Sequence, residues 1–459
     1  MRRSKPLPGH SIAFVAAFVA TSIIYRGVIP VEGFFYYPIT LGITVTYWLP
    51  FFLDRLLHHR LPKITATLVL PVAFTIVEYI NTLASPYGAW GGVALTQIGH
   101  PALIQIASLS GRFGITFLVL WFASVVNMLW EDKFDLKTSG RGLLLFTSIM
   151  SLVLIFGNAR LFILKRDSQT VRTAAICPED VEKRFDNPDF WDIYTRIADR
   201  QSLSPDEEAF IRRQECEYDR ELYQLTEREA RAGSRIVVWG ESSVFLFEED
   251  EEAFKDRYRR LVQQHQFYLL TGVFIIRKQS PEPFHNTALL FEPDGSVRTY
   301  VKSIIVPGDL QHKGDGNFFS VSSPYGEISA LICFDQISPN YVRRFRKADI
   351  LLVPADDWQD IDPYFTQFMK LYAIEYGFNT IRSTIQGLSA AYDHKGSVIS
   401  QADYFTTSPK VLVAQVPTEG LRTPYSVLGD WFVYICMVGF VLIIVLYIRN
   451  KTKSRDRSG

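Results

Sequence analysis

Three residues of types used in catalysis each stand at the end of a short apolar stretch in this sequence of 459 residues. The stretch IVVWGE ends on Glu241, TYVK ends on Lys302, and ALIC ends on Cys333. Each residue alone has an ordinary structural explanation: an acid at a helix N-terminus, a solvated charge at a sheet edge, and a thiol in the core. The chemistry they suggest depends on all three acting together.

Together the three groups suit nucleophilic acyl transfer. A free thiol has a pKa of about 8.5, so at neutral pH it needs a base or a positive field before it can attack. A carboxylate such as Glu241 can take the thiol proton and later return it. An ammonium such as that of Lys302 can stabilise the thiolate and the oxyanion that forms on the substrate. The sequence therefore favours Cys333 as a nucleophile over Cys333 as a core residue.

The three residues lie in a region of alternating strands and helices that begins at about residue 168. Short apolar stretches predict strands, and a highly charged stretch at about residues 186–231 predicts a solvated amphipathic helix. The segment EPDGSV predicts a hairpin turn, because Asp-Gly supplies the positive φ. The segments SPNYVRRFRKA and DPYFTQFMKLYAIEYGFNT predict helices that open with a proline. This alternation predicts an α/β domain.

The rest of the sequence is rich in uncharged apolar runs. A helix that spans a bilayer needs about 20 mostly apolar residues. Six runs qualify as candidate spans, five before residue 165 and one near the end: residues 11–25, 34–53, 64–83, 113–130, 142–159 and 431–448. The sequence therefore predicts a multi-pass membrane protein.

Lys and Arg residues are concentrated in alternate loops between these runs. They occur in the N-terminus, in the loops after the second and fourth runs, and in the C-terminal tail, whereas residues 85–111 contain none. Under the positive-inside rule, this pattern predicts that both termini are cytoplasmic and that the α/β domain is outside.

Two features of the membrane part are predicted separately. Glu78 lies inside the third apolar run, where an ionisable residue is either functional or close enough to the outer end to reach water. The segment 85–111 is only moderately apolar and rich in small residues. It predicts an interfacial or re-entrant element instead of a full span.

Composition excludes some classes of function. The 48 Lys and Arg residues balance 48 Asp and Glu residues, which gives no support for nucleic-acid binding. The four cysteines lie far apart without C-x-x-C spacing, so neither a zinc site nor a disulfide framework is indicated.

The order of Glu, Lys and Cys at strand ends resembles the carbon–nitrogen hydrolase (nitrilase) superfamily, and the wider sequence resembles its membrane-bound branch, the apolipoprotein N-acyltransferases. IVVWGESSVF is similar to that branch's strand ending in Trp-Pro-Glu, and LICFDQISP is similar to its Ile-Cys-Tyr-Glu stretch. FHNTALLFEPDGSVRTYVKSIIVPGD resembles its Asn-containing strand, hairpin, catalytic lysine and Val-Pro-Phe-Gly-Glu loop. VPADDWQDIDPYF resembles its Asn-Asp-x-Trp loop, and VEYINTLASPYGAWGGVALTQIG resembles a segment of its membrane part.

The resemblance implies a fold, a reaction and a location. The fold would be an α-helical membrane domain (residues 1–165), a carbon–nitrogen hydrolase domain built as a four-layer α-β-β-α sandwich (166–420), and a C-terminal transmembrane helix with a basic tail (421–459). Cys333 would take an acyl chain from a phospholipid as a thioester and pass it to the N-terminal amine of a lipoprotein, with no metal or organic cofactor. The protein would lie in a bacterial inner membrane with its catalytic domain on the extracytoplasmic side.

The sequence departs from the branch at four positions near the predicted site. Gly240 replaces a proline, Asp309 and Asp335 each replace a glutamate, and Phe334 replaces a tyrosine. We predict that Asp335 and Asp309 orient Lys302, with Phe334 in support. Possible substrate-binding residues are Trp239, Trp358 and Asp357.

Two other functions remain open from the sequence. The first is a membrane-anchored amidase, or an N-acyltransferase with a different amine acceptor, on the same scaffold. The second is a catalytically inactive protein that keeps the fold to bind a lipid or a partner.

Overall fold

The computed structural model of the chain describes residues 6–29, 31, 33–162 and 169–456. Its helices, in chain order, are α1 (Pro6–Ile24), α2 (Tyr36–Leu57), α3 (Lys63–Thr67), α4 (Val69–Ala84), α5 (Pro101–Ile104), α6 (Ala107–Ser110), α7 (Arg112–Glu131), α8 (Leu136–Phe162), α9 (Pro188–Ala198), α10 (Pro205–Arg231), α11 (Glu251–His265), α12 (Pro339–Val342), α13 (Tyr364–Tyr376), α14 (Pro424–Leu428) and α15 (Trp431–Asp456).

The strands fall between α8 and α14. They are β1 (Thr170–Ile176), β2 (Ile236–Trp239), β3 (Val244–Phe247), β4 (Tyr268–Ile276), β5 (Phe284–Phe291), β6 (Val297–Val301), β7 (Val321–Ser323), β8 (Gly326–Ala330), β9 (Ile350–Asp356), β10 (Asn379–Ile385), β11 (Leu388–Tyr392), β12 (Val398–Asp403) and β13 (Val411–Pro417).

The chain forms two compact units, a helical unit within Met1–Lys165 and Thr423–Gly459 and an α/β unit within Arg166–Arg422. In the helical unit, α4 packs against α2, α7 and α15. Among the described residues, four helices are long and apolar enough to cross a membrane: Lys63–Ala84, Arg112–Glu131, Leu136–Phe162 and Trp431–Thr452. These four coincide with four of the six predicted spans.

The first two predicted spans stay predictions. The apolar part of α1 is the shorter stretch Gly9–Ile24, and α2 is a 22-residue helix that contains Pro50. The segment 85–111 forms a 3-10 turn at Val93–Gln97 followed by the short helices α5 and α6, in keeping with its predicted lack of a full span.

Glu78 does not reach the surface of the helical unit, so the interpretation that it extends into water is wrong. Its side chain is buried, and its Oε1 accepts a hydrogen bond of 2.7 Å from the backbone N–H of Val93. Because Val93 begins the 3-10 turn, Glu78 fixes the segment after α4 to α4 itself.

The α/β unit contains two sheets. The first has the strand order β13-β1-β2-β4-β5-β6, with β3 also pairing with β4, and the second has the order β12-β11-β10-β9-β8-β7. Parallel pairs lie at the centre of each sheet, β1 with β2 and β2 with β4 in the first, and β8 with β9 and β9 with β10 in the second. Antiparallel pairs such as β13 with β1 extend the edges.

The two sheets face each other and each carries helices on its outer side. Strands β2 and β4 contact β9, and β1 and β2 contact β10, which joins the sheets at their parallel centres. On the first sheet, apolar residues of α10 and α11 pack into a core cluster with residues of the strands. On the second, α13 packs against β10 and β11. This arrangement confirms the predicted α-β-β-α sandwich.

Local features differ from the predictions in three places. The charged stretch predicted as one helix is two helices, because Ser204 and Glu207 form a capping box that starts α10 after a break. The helix predicted in SPNYVRRFRKA is only the short α12 followed by a 3-10 turn. The strand predicted to run to Cys333 ends at Ala330, and Cys333 begins a 3-10 turn.

Candidate active site

Glu241 and Lys302 form a buried ion pair at the ends of two strands of the first sheet. Glu241 follows β2 by two residues, and Lys302 directly follows β6. Lys302 Nζ lies 2.7 Å from Glu241 Oε1, and the two side chains are only 3% and 4% exposed. So little exposure keeps water from screening the pair, which therefore interacts strongly.

Both oxygens of the Glu241 carboxylate are held by additional donors. Asn286 Nδ2, on β5, donates to Oε1 at 2.6 Å, and the backbone N–H of Asp356, at the end of β9, donates to Oε2 at 3.0 Å. Asn286 Nδ2 also donates to Gln311 Oε1 at 3.1 Å. Donors from both sheets therefore fix the direction of this carboxylate.

Cys333 stands at a strained turn on the second sheet. Its φ is +37°, a left-handed value that costs a non-glycine residue free energy and recurs at functional sites. The Sγ atom lies 3.6 Å from the carbonyl oxygen of Asp356 and 3.8 Å from Asp357 Oδ1. The backbone of Asp356 thus contacts the sulfur through its carbonyl group and Glu241 through its N–H group.

The charges of these groups influence one another. Burial and the negative charge of Glu241 raise the pKa of the Cys333 thiol well above its ordinary value, although Lys302 acts in the opposite direction. Burial alone would lower the pKa of Lys302, but Glu241 and a Cys333 thiolate outweigh it and raise the pKa. At rest, Cys333 is therefore a thiol and Lys302 an ammonium, and a thiolate can form only as its proton is taken.

Asp335 fixes the loop that follows Lys302. Its Oδ1 accepts hydrogen bonds from the backbone N–H groups of Ser303 at 3.0 Å and Ile304 at 2.7 Å. Its Oδ2 accepts from the N–H of Ile332 at 3.0 Å and from the hydroxyl of Tyr300. The carboxylate thus joins the cysteine turn to the lysine loop, through the backbone next to Lys302 and not through Nζ.

Asp309 and Phe334 lie farther from the reacting groups. Asp309 is exposed, and its Oδ2 accepts a hydrogen bond of 3.0 Å from Gln311 Nε2. Its hydrogen bonds lead to the Glu241 carboxylate through Gln311 and Asn286, and its charge raises the pKa of Lys302, a smaller effect than that of Glu241. Phe334 is buried, with its ring centroid 6.2 Å from that of Phe365.

Asp357 is bound by a buried arginine of the second sheet. Arg382, on β10, donates from Nη2 to Asp357 Oδ1 at 2.7 Å and from Nη1 to Oδ2 at 2.9 Å. Both side chains are fully buried. A bidentate pair of this kind holds the carboxylate firmly beside the sulfur. The predicted contact of Asp357 with a substrate stays a prediction.

The two tryptophans occupy different environments. Trp239 is completely buried in the core between the first sheet and α10 and α11, and its Nε1 donates to Thr226 Oγ1 at 2.9 Å. The prediction that Trp239 lines a substrate pocket is therefore wrong, because the side chain has no free surface. Trp358 is half-buried beside Asp357, and its substrate contact stays a prediction.

The surroundings of Gly240 explain why a glycine stands where the resembling sequences have a proline. Its N–H donates to the carbonyl of Ile176 at 3.1 Å, a bond that proline could not make. A Cβ atom at this position would lie 2.7 Å from Ile385 Cγ1 and 3.2 Å from Cys177 Sγ. The packing before Glu241 therefore requires glycine in this chain.

Two residues that hold Glu241 were given no role by reasoning from the sequence. Asn286 lies in β5 between His285 and Thr287, so its polar side chain is not distinct there, and the resemblance pointed only to an Asn-containing strand. Asp356 ends β9 directly before Asp357, and the pair of acids gave no indication of which would face the site. In the part of the chain that the structure describes, no group of three or more His, Cys, Asp or Glu residues is arranged to hold a metal ion.

Comparisons with known proteins agree on one family. A model of the carbon-nitrogen hydrolase family matches residues 217–423, and a model of the apolipoprotein N-acyltransferase N-terminal domain matches residues 9–125. The apolipoprotein N-acyltransferase of Haemophilus influenzae is 23% identical over 446 residues, covering 88% of this chain and 78% of that protein. That of Borreliella burgdorferi is 23% identical over 449 residues, covering 89% and 78%.

Solved structures are similar only to part of the chain. A carbon-nitrogen hydrolase from Helicobacter pylori is 17% identical, with a TM-score of 0.40, covering 55% of this chain and 90% of that one. An amidase from Nesterenkonia sp. is 17% identical, with a TM-score of 0.39, covering 59% and 97%. The two family models and the relatives aligned along most of the chain together support an apolipoprotein N-acyltransferase of the carbon-nitrogen hydrolase superfamily.

Proposed function

We propose that the chain transfers an acyl chain from a phospholipid, through a thioester on Cys333, to the N-terminal amine of a diacylglyceryl-cysteine lipoprotein. The observation that carries this proposal is the Glu241–Lys302 ion pair, joined to the Cys333 sulfur by the backbone of Asp356. The full-length relatives are named apolipoprotein N-acyltransferases, which supports the choice of acceptor.

In the first half-reaction, Cys333 Sγ attacks the carbonyl carbon of a phospholipid ester. Glu241 takes the thiol proton, which is necessary because burial raises the pKa of the thiol. The ammonium of Lys302 stabilises the oxyanion. The carbon–oxygen bond then breaks, Glu241 returns the proton to the leaving alkoxide, and a lysophospholipid departs from the acyl thioester.

In the second half-reaction, the lipoprotein amine attacks the thioester carbonyl. Lys302 again stabilises the oxyanion, and Glu241 takes a proton from the attacking nitrogen. The carbon–sulfur bond breaks, the thiolate of Cys333 receives that proton, and an amide is left on the lipoprotein. All proton transfers in this scheme run between protein side chains and substrates, so it calls for no cofactor.

The proposed location follows from the substrates and from the charge pattern. Both substrates are held in a bilayer, and apolar helices long enough to cross one stand before and after the α/β unit in the chain. The Lys and Arg distribution supports an extracytoplasmic α/β unit. We propose a bacterial inner membrane as the compartment.

Mass spectrometry of a lipoprotein tests the proposal. The N-terminal peptide of a lipoprotein is compared in a host that lacks its own N-acyltransferase, with the wild-type chain, with Cys333→Ser, or with neither. We expect the mass of one added acyl chain only with the wild-type chain. An unchanged diacylated peptide, in cells where a Cys333 thioester still forms, would point to the amidase or to another amine acceptor. The absence of any thioester would favour the inactive binding protein.

A further inference from the structure

A cavity of about 130 Å³ in the α/β unit is lined by residues that neighbour or contact Glu241. Its wall includes Ser242, which follows Glu241, and Asp356, whose N–H donates to Glu241. It also includes Gln311, which accepts a hydrogen bond from Asn286. A cavity of roughly 150 Å³ can hold a benzene molecule, so this one has room for the end of a substrate. The half-reactions above leave it without a role.

The walls of the cavity suit a small cation. Four aromatic side chains line it, Phe185, Tyr194, Phe245 and Phe274, and aromatic faces attract ammonium groups. Arg184 also lines the cavity, but its guanidinium lies 2.9 Å from the carboxylate of Glu215 and donates to two backbone carbonyl groups. Glu215 balances part of the charge of Arg184, but the guanidinium also lies over the ring of Phe245, 4.3 Å from its centroid, and acts electrostatically on Asp356.

Asp356 is the one carboxyl group among the described residues that line this cavity. Its backbone is engaged with both Glu241 and Cys333, but no hydrogen bond to its side-chain oxygens occurs among the described residues. Burial, with repulsion by Glu241 and Asp357, raises the pKa of Asp356 well above its ordinary value, against the opposing charges of Arg184 and Lys302. Its carboxylate is therefore a stronger base than that of an ordinary aspartate.

We propose that the cavity is the subsite for the primary ammonium of the acyl acceptor, and that the Asp356 carboxylate binds this ammonium and removes one proton from it. The proposal rests on the proposed function, and it assigns Asp356 to the second half-reaction only. A primary amine is about 90% protonated one pH unit below its pKa, which is about 8 for an α-amino group. Its nitrogen cannot attack a thioester until that proton has gone.

The proton balance of the step is complete. The ammonium gives one proton to Asp356, and the neutral amine attacks the Cys333 thioester. Glu241 takes the second proton from the new carbon–nitrogen adduct and passes it to the departing thiolate of Cys333. Asp356 releases its proton to solvent once the amide product has left.

The test separates the two half-reactions with Asp356→Asn. The purified full-length protein is loaded with a labelled acyl chain from a phospholipid, and the thioester is then exposed either to a synthetic diacylated lipopeptide with a free N-terminus or to hydroxylamine, which is uncharged at neutral pH. We expect thioester formation and reaction with hydroxylamine to fall by much less in the variant than transfer to the lipopeptide. Transfer to the lipopeptide should fall by about 100-fold or more at pH 7 and recover as the pH approaches that at which the amine loses its proton.

The matched control is Asp360→Asn, which removes an exposed carboxylate four residues away and should leave both reactions unchanged. Wild-type transfer to the lipopeptide by Asp356→Asn would overturn the proposal. An equal loss with hydroxylamine and lipopeptide would also overturn it, because Asp356 would then act on the thioester or the fold. If the wild-type chain forms no thioester, the proposed function itself fails, and the inference with it.

Discussion

At the scale of single residues, the site is built around the Glu241 carboxylate, which receives three hydrogen bonds in two directions. Lys302 and Asn286 donate to Oε1, and the N–H of Asp356 donates to Oε2. These donors fix the position of the carboxylate in the site. A substitution at Glu241 can therefore remove the base and keep the shape of the side chain.

Replacing Glu241 by glutamine keeps the shape and removes the base. The thioester on Cys333 should then form about 10²- to 10⁴-fold more slowly, the range that a general base contributes. Labelled phospholipid measures this rate, and the thermal unfolding midpoint of the same preparation shows whether the fold is intact. A Glu241→Gln variant that acylates at the wild-type rate would exclude Glu241 as the base.

Asp335 is expected to make the rate of thioester formation fall on the acidic side of its pH profile, the acidic limb. Burial raises its pKa to about 6, against the opposing effect of its hydrogen bonds. As the pH falls through 6, the carboxylate gains a proton and can no longer accept four hydrogen bonds, so the loop after Lys302 loosens. We expect the rate of thioester formation to fall in this range.

The Asp335→Asn variant should acylate more slowly at pH 8, by roughly tenfold, and should lack the limb near pH 6, because its side chain does not titrate. Asp309→Asn is the matched comparison, since the Asp309 side chain contacts Gln311 and not the backbone beside Lys302. If Asp335→Asn keeps the acidic limb, another group controls it.

The sequence allowed the candidate reacting residues to be named, but not the residues that hold them. Glu241, Lys302 and Cys333 stand out because each ends an apolar stretch with a chemically useful side chain. Asp356 could not, because its contribution depends on β9 of one sheet facing β2 of the other, and no local pattern encodes that pairing. The strain at Cys333 was equally hidden, since a cysteine does not indicate a positive φ.

At the scale of elements, the backbone at the end of β2 is packed closely against neighbouring strands, with little space for added side-chain atoms. The position of Gly240 leaves too little space for a side chain, because Ile385 of β10 lies against it. The carbonyl oxygen of Gly240 would in turn lie 2.1 Å from a Cβ added at Gly272 on β4. Glu241 is thus delivered to the site by close backbone contacts between strands.

Replacing Gly240 by alanine should lower the free energy of unfolding by about 1–3 kcal/mol, the usual cost of overpacking a core. Ile385→Ala removes the atom that clashes, so the double variant should be more stable than the sum of the two single effects predicts. Thermal unfolding of the detergent-solubilised protein measures all three. Gly99→Ala is the control, since a Cβ there meets no atom within 4 Å, and additive effects would show that the contact is not strained.

Elements were predicted well where the sequence signal was local. The β5–β6 hairpin, with Gly295 at a φ of +90°, lies where EPDGSV placed it. Strand β3 and the order of strands in each sheet were not predicted, because β3 pairs with β4 across the intervening α11 and pairing order is set by distant contacts. The break between α9 and α10 could have been read from Ser204, Pro205 and Glu207.

At the scale of the whole molecule, one native cysteine reports the side of the membrane on which the α/β unit lies. Cys216, on α10, is exposed, whereas Cys177, Cys333 and Cys436 are buried. A membrane-impermeant maleimide applied to intact spheroplasts should therefore label the wild-type chain once, and Cys216→Ser should abolish the label. Labelling that appears only after the membrane is permeabilised would place the α/β unit in the cytoplasm and reverse the predicted topology.

The pairing of β1 with β13 has a consequence for how the two units are connected along the chain. Thr170, near the start of the α/β unit, stands opposite Pro417, near its end, on adjacent antiparallel strands. Entry and exit are therefore neighbours, as expected for a module inserted into a host protein at a single point. A gene encoding this enzyme could gain or exchange such a module in one event, without any change in the path of the flanking helices.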